Sequence, residues 1–421
     1  MSKVSSVLVA CCALALCGVG CSSDSTGKSA AGGAGQPGTS TDALQLLSWW
    51  TGPGEADALQ ALMDTYRDAH ANARVNLDSS VTADNWRPTL NMGIADSPWD
   101  AFQLAGADMP QFKLDHPDDV LPVDVYEDAA LKKAVIPEIL ASVTLDDGKP
   151  YGVVTGVHRN NSFLYNQQVF DAHKLKAPTT IAEFMDVCAK LKKAGVTPVA
   201  TTFQTWALRI TFDEILAGTL GASAFDDLVQ GRTPPTDATM KAGITSAIAT
   251  FGSVLTDYVD PASSAADYGW TNAADDVHSG KAAMLLHGDW AKGYMVHLGW
   301  TPGVDFGLSG PPGANDLFVY GADVFGLPKS APHPGMAEDF LTVVASKDGQ
   351  VAFNKYKGAT PMRTDVRDQL DDLGKISMDA LLNAKVLSPS HANADWDAAI
   401  GVFAMDGDQD AMLSAYLTAK P

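Results

Sequence analysis

Directly after residue 41 the chain alternates between strand-like and helix-like patterns, and this alternation limits the fold more than any other feature. LQLLSWW (44–50) is an apolar run typical of a buried strand, and ARVNLDSSV (73–81) predicts a second strand. Between them, EADALQALMDTYRDAHA (55–71) carries an apolar helical face formed by Leu59, Leu62, Met63 and Tyr66. Such a βαβ unit predicts a parallel sheet whose ligands bind beyond the carboxyl ends of the strands. Trp49 and Trp50 lie at such an end.

The same alternation returns later in the chain. A short apolar strand is predicted over 282–286, and it ends at Gly288-Asp289-Trp290, where a helix begins. Another strand is predicted to begin near Asp323, before the helical pattern GMAEDFLTVVAS. Between these units, YGVVTGVHRNN and LSGPPGAND are interpreted as places where the chain passes from one lobe to another. His158, Arg159 and Asp289 are interpreted as supports of the crossing or the turn.

Size and charge narrow the class of protein. With 421 residues, 46% of them apolar and 19% charged, the chain can bury a large core and divide it between two domains. The formal charge of −21 argues against nucleic acid or an anionic membrane surface as a partner, because both attract cationic faces.

The N-terminus carries an export signal. The apolar stretch VLVACCALALCGVG follows Lys3, and its length predicts a signal peptide over residues 1–21. It ends in GVGC, which resembles the bacterial lipobox, so we expect Cys21 to be lipidated; ordinary cleavage nearby without a lipid is the alternative. Residues 22–41 are rich in Ser, Gly and Ala and predict a flexible tether with a reach of roughly 25 Å.

The cysteines exclude a disulfide framework. Of the five cysteines, four lie within residues 1–21, which leaves Cys188 alone in the folded part. Cys188 belongs to a helical pattern that begins with a Thr180–Glu183 capping box, and it is interpreted as a core residue and not a nucleophile.

The motifs of common enzymes are absent from the sequence. It contains no G-x-S-x-G, H-E-x-x-H, P-loop or C-x-x-C motif, and its nine histidines are scattered. We therefore predict no enzyme, no metal and no cofactor. Because acids are abundant, a secreted glycan-active hydrolase with two carboxylates about 5 to 10 Å apart stays open as the alternative. A surface adhesin or scaffold would instead present a broad exposed apolar patch.

Four tryptophans occupy positions where a ligand could reach them. Trp49, Trp50, Trp270 and Trp290 lie near turns, beside glycine and short polar residues. An indole face matches the apolar face of a pyranose ring, and polar groups around it can take the hydroxyls. Core packing is the alternative for each ring singly, but the four together predict a sugar cleft.

Several segments resemble, in order, the extracellular solute-binding proteins of bacterial carbohydrate ABC transporters, most closely the glucose- and mannose-binding subgroup. They are SWWTGPGEADALQALMDTYRD, DAFQLAG, VHSGKAAMLLHGDWAKGYM, GADVFGLPKSA, SKDGQVAFNKYKGATPMRTD and SPSHANADW. The resemblance implies an α/β fold of the type II periplasmic-binding-protein class, with two lobes that close over a ligand by hinge motion. It assigns 42–154 and 314–360 to lobe 1, and 155–313 and 361–421 to lobe 2.

The resemblance also implies a set of ligand-binding residues. They are Trp49, Trp50, Glu55, Gln103, Trp270, Trp290, Asp323, Lys357 and His391. Three of them have simpler interpretations: Glu55 could begin a helix, Asp323 could cap a turn and Lys357 could be a solvated surface charge. One stretch departs from the subgroup, because those relatives carry a histidine just after the glutamine, where this sequence reads Gln103-Leu104-Ala105-Gly106, and a hydrogen-bonding group is missing there.

The function implied is that of a monomeric receptor, exported and anchored to the membrane by the lipid on Cys21. It would capture glucose or a related mono- or disaccharide by hinge closure and deliver it to the permease of an ABC importer.

Overall fold

The computed structural model describes residues 43–71, 73–82, 85–391 and 393–419. The predicted signal peptide, the tether and the lipidation site at Cys21 lie outside these residues.

Across the described residues the chain forms eleven strands and seventeen α-helices. The strands are β1 (Ala43–Leu47), β2 (Arg74–Asp78), β3 (Ala101–Ala105), β4 (Val120–Leu121), β5 (Val153–Arg159), β6 (Ser162–Asn166), β7 (Thr197–Ala200), β8 (Ala282–His287), β9 (Phe306–Ser309), β10 (Leu317–Pro328) and β11 (Val386–Pro389). The helices are α1 (Glu55–Ala69), α2 (Trp86–Gly93), α3 (Met109–Asp115), α4 (Ala129–Ala134), α5 (Pro137–Ser142), α6 (Gln167–Ala172), α7 (Ile181–Lys193), α8 (Thr205–Leu220), α9 (Ala222–Val229), α10 (Ala238–Ser253), α11 (Trp270–His278), α12 (Trp290–His297), α13 (Pro334–Ala345), α14 (Lys347–Lys357), α15 (Asp372–Leu382), α16 (Ala394–Asp406) and α17 (Gln409–Thr418).

The first sheet contains the βαβ unit that the sequence predicts. Its strand order is β11-β10-β3-β1-β2, and β4 and β5 also pair with β10. β1 runs parallel to β2 and β3, with Leu46 opposite Leu77. Helix α1 connects the first two strands and buries the four residues of its predicted apolar face together with Ala58. The prediction of this unit is confirmed.

Strand β10 is longer than predicted and changes the character of this sheet. It begins at Leu317, six residues before Asp323, and runs antiparallel to both β3 and β5. Its first residues pair in parallel with β11. The early start has a packing reason, because Leu317 and Val319 are buried in a second hydrophobic core, away from the rest of the strand.

The second sheet has the order β7-β8-β6-β9. β8 pairs in parallel with β7 and antiparallel with β6, which also pairs with β9. Helix α7 packs its apolar face here, with Cys188 fully buried as predicted. Half of its predicted capping box is formed: the hydroxyl of Thr180 accepts from the Glu183 backbone at 3.1 Å, but the Glu183 carboxylate accepts from the backbone of Thr179, at 2.7 Å, and not from that of Thr180.

Two main cores divide the chain into two lobes. Lobe 1 is defined by the first core, within 44–157 and 318–381, and lobe 2 by the second core, within 163–317 and 396–416 together with Val319. The second segment of lobe 1 therefore extends beyond the predicted boundary at residue 360, because Met362 and Leu381 pack in the first core. The chain passes between the lobes after β5, at the start of β10, and between α15 and α16.

Arg159 and Asn161 tie two of these crossings together. The Arg159 guanidinium donates to the carbonyl oxygens of Asn315 at 3.1 Å and Leu317 at 2.6 Å. The Asn161 amide donates to the same Leu317 carbonyl at 3.1 Å and accepts from the backbone of Val319 at 2.9 Å. Arg159 thus supports the lobe crossing, as the sequence suggests.

In the part of the chain that the structure describes, we find no helix long and apolar enough to cross a membrane. The same residues contain no group of three or more His, Cys, Asp or Glu side chains that could hold a metal ion.

Candidate functional site

A cleft of about 430 Å³ lies between the two lobes. The first strand of lobe 1 and the crossing strands end at it, and helices α8, α11 and α12 of lobe 2 begin at it. Its volume falls within the ~300–1,000 Å³ typical of small-molecule sites. The residues that line it are Trp49, Trp50, Glu55, Ala105, Ala107, His158, Asn160, Trp206, Arg209, Ile210, Trp270, Trp290, Gly321, Ala322, Asp323, Lys357 and Ser390.

The lobe 2 wall is aromatic and is organised around His287. The ring centroids of Trp206, Trp270 and Trp290 lie 5.3, 5.8 and 5.1 Å from the imidazole of His287. Burial lowers the pKa of His287 to about 3, so its ring is neutral at neutral pH and can accept a hydrogen bond. The indole N–H of Trp290 donates to His287 Nε2 at 3.2 Å. The buried histidine therefore holds these indoles at the cleft surface, where each is half-buried.

Local sequence places each of these indoles. Trp270 and Trp290 are the first residues of α11 and α12, and Trp206 is the second residue of α8. Gly288 allows the Trp290 ring to fold back over the preceding turn, because a Cβ at position 288 would lie 1.9 Å from that ring. Trp270 and Trp290 are among the residues predicted from the sequence, whereas Trp206 is not. Trp206 follows β7 across a short, mostly polar segment, residues 201–205, so its position could have been recognised as another tryptophan beside a turn.

The lobe 1 wall contains the adjacent pair of tryptophans, but they differ in exposure. Trp49 is half-buried and stacks on Trp86 with centroids 6.3 Å apart and an interplanar angle of 24°. Trp50 is only 1% exposed and packs against Phe325 at 5.7 Å and Phe353 at 4.8 Å. The expectation of an exposed stacking ring at Trp50 is therefore wrong for this conformation, because the indole fills the lobe 1 core beneath the cleft.

Two carboxylates and one ammonium group form the charged part of this wall. Lys357 Nζ donates to Glu55 Oε1 at 2.5 Å and lies 3.9 Å from Asp323 Oδ2. Lys357 is 4% exposed, so it is not a solvated surface charge, and Asp323 lies within β10 and not in a turn. Glu55 begins α1 and also lines the cleft.

His158 joins the charged wall to the opposing lobe. Its Nδ1 lies 2.6 Å from Asp289 Oδ1, and its Nε2 lies 3.1 Å from Asp323 Oδ2. Burial opposes protonation of the ring, but the carboxylates of Asp289 and Asp323 outweigh it and raise the pKa of His158. Burial would raise the pKa of Asp323, yet the His158 hydrogen bond, together with Lys357, holds it below the ordinary value. His158 therefore lines the cleft as well as supporting the crossing.

Arg209 lies at one end of the cleft, and His391 lies behind it. Arg209, one turn after Trp206 on α8, lines the cleft, donates to the carbonyl oxygen of His391 and lies 3.2 Å from Asp397 Oδ1. His391 does not line the cleft; its ring packs edge-on against Phe225 and Trp396 in lobe 2. Burial, with the Arg209 charge nearby, lowers the pKa of His391 to about 3. Its neighbour Ser390 is the residue that reaches the cleft.

Gln103 also lies behind the surface. It is 1% exposed, and its Oε1 accepts from the Ser48 hydroxyl at 2.5 Å and the Trp49 backbone at 3.1 Å. In this conformation it positions the Trp49 backbone without lining the cleft. Ala105, two residues later on β3, does line the cleft, so a methyl group faces the ligand space in the stretch that lacks the histidine of the subgroup.

The carboxylates do not have the arrangement of a glycoside hydrolase. Among the described residues that line the cleft, the only carboxylates are Glu55 and Asp323, and both belong to lobe 1 and share Lys357. A hydrolase needs two carboxyl groups on either side of the bond to be broken, one of them with a raised pKa.

Comparison with known proteins agrees with this description. Residues 52–351 match the family model of the bacterial extracellular solute-binding protein. An uncharacterized ABC transporter extracellular-binding protein of Pyrococcus horikoshii is 30% identical over 360 residues, which cover 83% of this chain and 79% of the relative. A probable sugar-binding periplasmic protein of Mesorhizobium japonicum is 32% identical over 346 residues, 79% of each chain.

A solved structure shares the fold at low identity. The bacterial solute receptor AcbH, described as having an exclusive preference for β-D-galactopyranose, superimposes with a TM-score of 0.75 and 17% identity, over 90% of this chain and 97% of the receptor. The predicted fold, two α/β lobes of the type II periplasmic-binding-protein class, is confirmed. The chain is a solute receptor and not an enzyme, as the sequence predicts, and it belongs to the family of bacterial extracellular solute-binding proteins.

Proposed function

We propose that this receptor captures a sugar in the cleft between its lobes and delivers it to the permease of an ABC importer. The observation that carries the proposal is the composition of the cleft. Three indoles of lobe 2, held around His287, face a lobe 1 wall that combines Trp49 with hydrogen-bonding charged groups.

The indoles supply the apolar half of the interaction. A pyranose ring has an apolar face of C–H groups that packs against an aromatic face, and burying a large ring contributes substantially to binding. Trp206, Trp270 and Trp290 are half-buried, so each has surface left to give to a ligand. Micromolar affinity needs only about 8 kcal/mol, which one or two stacked rings and a few hydrogen bonds can supply after the entropy cost.

The charged groups supply the polar half. Glu55 and Asp323 can accept from sugar hydroxyls, and Lys357 and Arg209 can donate to them, as charge-assisted hydrogen bonds. Since His158 and Lys357 hold the pKa of Asp323 low, this carboxylate is ionised and acts purely as an acceptor at neutral pH.

Hinge closure follows from contact with both lobes. A sugar that touches the indoles of lobe 2 and the carboxylates of lobe 1 binds the closed form better than the open form, and it shifts the population accordingly. The hinge lies at the crossing that Arg159 and Asn161 hold together.

We infer that the ligand is glucose or a related mono- or disaccharide, in line with the resemblance to the glucose- and mannose-binding subgroup. The methyl group of Ala105 offers no hydrogen bond. We therefore expect the sugar carbon that faces it to lack a hydroxyl, to turn its hydroxyl away or to carry a second ring. Sugar-binding names among the relatives support the class of ligand.

Delivery and anchoring complete the proposal. Relatives named as extracellular-binding proteins of ABC transporters support the permease as partner. The receptor would act as a monomer on the outer side of the membrane, held by a lipid on Cys21 and the tether of residues 22–41.

Isothermal titration calorimetry against a panel of monosaccharides and disaccharides tests this function. We expect saturable heat from at least one sugar with one site per chain, and loss of that heat in a Glu55→Gln, Asp323→Asn double variant. The matched control is Asp186→Asn, an exposed acid on α7. Folded protein that gives no heat with any sugar would overturn the proposal.

A further inference from the structure

A second cavity, of about 340 Å³, lies on the other side of the crossing strands. We call it the back cavity and define it by Arg159, Lys292, Ser309, Phe318, Ile376 and Ser377. It opens to solvent at Ile376, which is 49% exposed, while Lys292 at its base is 2% exposed.

The back cavity is separate from the sugar cleft. His158 and Arg159 are neighbours on β5, and because successive side chains of a strand point to opposite faces, one lines the cleft and the other lines the back cavity. On α12, Trp290 lines the cleft and Lys292 lines the back cavity. No described residue lines both spaces.

Its base holds more positive than negative charge. The Arg159 guanidinium donates only to neutral oxygens of Asn161, Asn315 and Leu317. The Lys292 ammonium donates to the Ser377 hydroxyl, and its ion-pair partner among the described residues is Asp289 at 3.8 Å.

Asp289 cannot neutralise both cations. One of its oxygens binds His158 at 2.6 Å and the other accepts from the Arg159 backbone at 2.9 Å. The other acid of the lining, Asp316 at the mouth, is paired with Lys385 at 3.2 Å. Burial lowers the pKa of Arg159 to about 10 and also lowers that of Lys292, although Glu214 and Asp289 act in the opposite direction on Arg159, and Asp289 and Asp371 on Lys292.

Much of the surface above this base is apolar, and its polar part comes from Ser162, Ser309, Asn315, Thr360 and Asn383. Leu308 and Phe318 form one side, and Ile376, Ala380 and Ala384 of lobe 1 form the other. A ligand that fits must therefore carry an anionic group at one end and an apolar body at the other.

We propose that the back cavity is a second binding site, for a small organic carboxylate whose anionic group lies between Lys292 and Arg159. Its apolar body packs against Phe318 and Ile376. Charge-assisted hydrogen bonds to the two cations offset the desolvation cost of the carboxylate, and the apolar walls add burial energy that a purely inorganic anion lacks.

Calorimetry with benzoate on the full chain tests the site, with acetate and benzyl alcohol as probes that lack the apolar body or the charge. We expect one saturable benzoate site per chain and at least about tenfold weaker binding of the other two probes. Lys292→Met, which keeps the length of the side chain, should weaken benzoate at least about tenfold, and the exposed Lys355→Met should not.

A second variant distinguishes loss of the binding site from loss of folding. Ile376→Asp places a negative charge at the half-exposed mouth without touching the buried cations, and it should also abolish benzoate binding while the melting temperature stays close to that of the parent. The proposal is overturned by the absence of saturable benzoate heat with folded parent protein. Equal benzoate affinity in the parent, Lys292→Met and Ile376→Asp proteins would also overturn it.

Discussion

The imidazole of His158, at the end of β5, binds the carboxylate of Asp289 in lobe 2 at 2.6 Å. The other ring nitrogen binds Asp323 of lobe 1, so one histidine at the base of the cleft connects an acid from each lobe. The protonation state of His158 therefore affects both the stability of the hinge and the electrostatics of the sugar site.

This histidine predicts a pH dependence. Because the folded pKa of His158 is raised, its contribution to stability is complete below the unfolded value of ~6.5 and is lost as the pH rises through the folded value. We expect the urea midpoint of the parent to fall as the pH rises above about 7, and this part of the slope to disappear in His158→Gln. Identical slopes in the two proteins would show that His158 is not protonated in the folded chain.

Removal of the Trp290 indole from the cleft surface should lower the sugar affinity without unfolding the protein. Trp290→Ala removes a half-buried indole that packs edge-on against His287, and we expect sugar affinity to fall at least tenfold, or ~1.4 kcal/mol. The matched control is Trp300→Ala, an indole of the same lobe that packs on Phe306 and lies outside the cleft lining. Calorimetry on variants shown to be folded by circular dichroism checks this, and unchanged affinity would remove Trp290 from the site.

Asp213, a largely buried acid near Arg209, should lower the free energy of unfolding near neutral pH. Burial raises the pKa of Asp213 on α8 to about 7, although Arg209 works in the opposite direction. Since the folded value lies above the unfolded value of ~3.9, the stabilising effect of the proton is complete below about pH 4 and is lost as the pH rises through about 7.

Asp213→Asn should therefore flatten the loss of stability between about pH 4 and 7, measured by urea unfolding at several pH values. The exposed Asp186→Asn should leave the profile unchanged. A steeper profile in Asp213→Asn would contradict the assignment.

Close contact between α12 and α14 should set the position of the lobe 2 wall. A Cβ on Gly293 would lie 2.6 Å from the carbonyl oxygen of Tyr356 and 2.8 Å from that of Lys357, and backbone atoms cannot yield easily. Gly293→Ala should move α12, and Trp290 with it, at a cost of ~1–3 kcal/mol in stability and about tenfold in sugar affinity.

The control for this change is Gly335→Ala on α13, where a Cβ would meet nothing within 4 Å. It should leave the sugar affinity unchanged and shift stability by less than about 1 kcal/mol. Thermal unfolding and calorimetry measure both effects, and a Gly293→Ala protein that behaves like the control would show that the helices do not constrain each other.

The local sequence pattern predicted the strands and helices better than it predicted which of their side chains are exposed. The apolar spacing in α1 and the strand before Trp49 depend on neighbours in the chain, so the βαβ unit could be predicted directly. Whether Trp50 faces the cleft depends on Phe325 and Phe353, which lie far away in the sequence. The residues next to Trp50 in the chain therefore cannot predict that its ring is buried.

The same reason explains the other differences at the site. Gln103 and His391 are polar residues in segments that resemble a binding site, yet long-range packing places both behind the surface. Arg209 could not be predicted from the local pattern, because a single arginine one turn inside a helix carries no signal that it faces a cleft. His158 could have been found from strand alternation, since Arg159 beside it points to the back cavity.

A crystal structure of the full chain with the sugar that gives the largest heat tests the central claim most directly. We predict one sugar in the cleft, with a ring face against at least one of the three indoles around His287 and hydroxyls bound to Glu55, Asp323 or Lys357 of the opposing lobe. A sugar bound elsewhere, or held by one lobe alone with the indoles uncovered, would contradict this account.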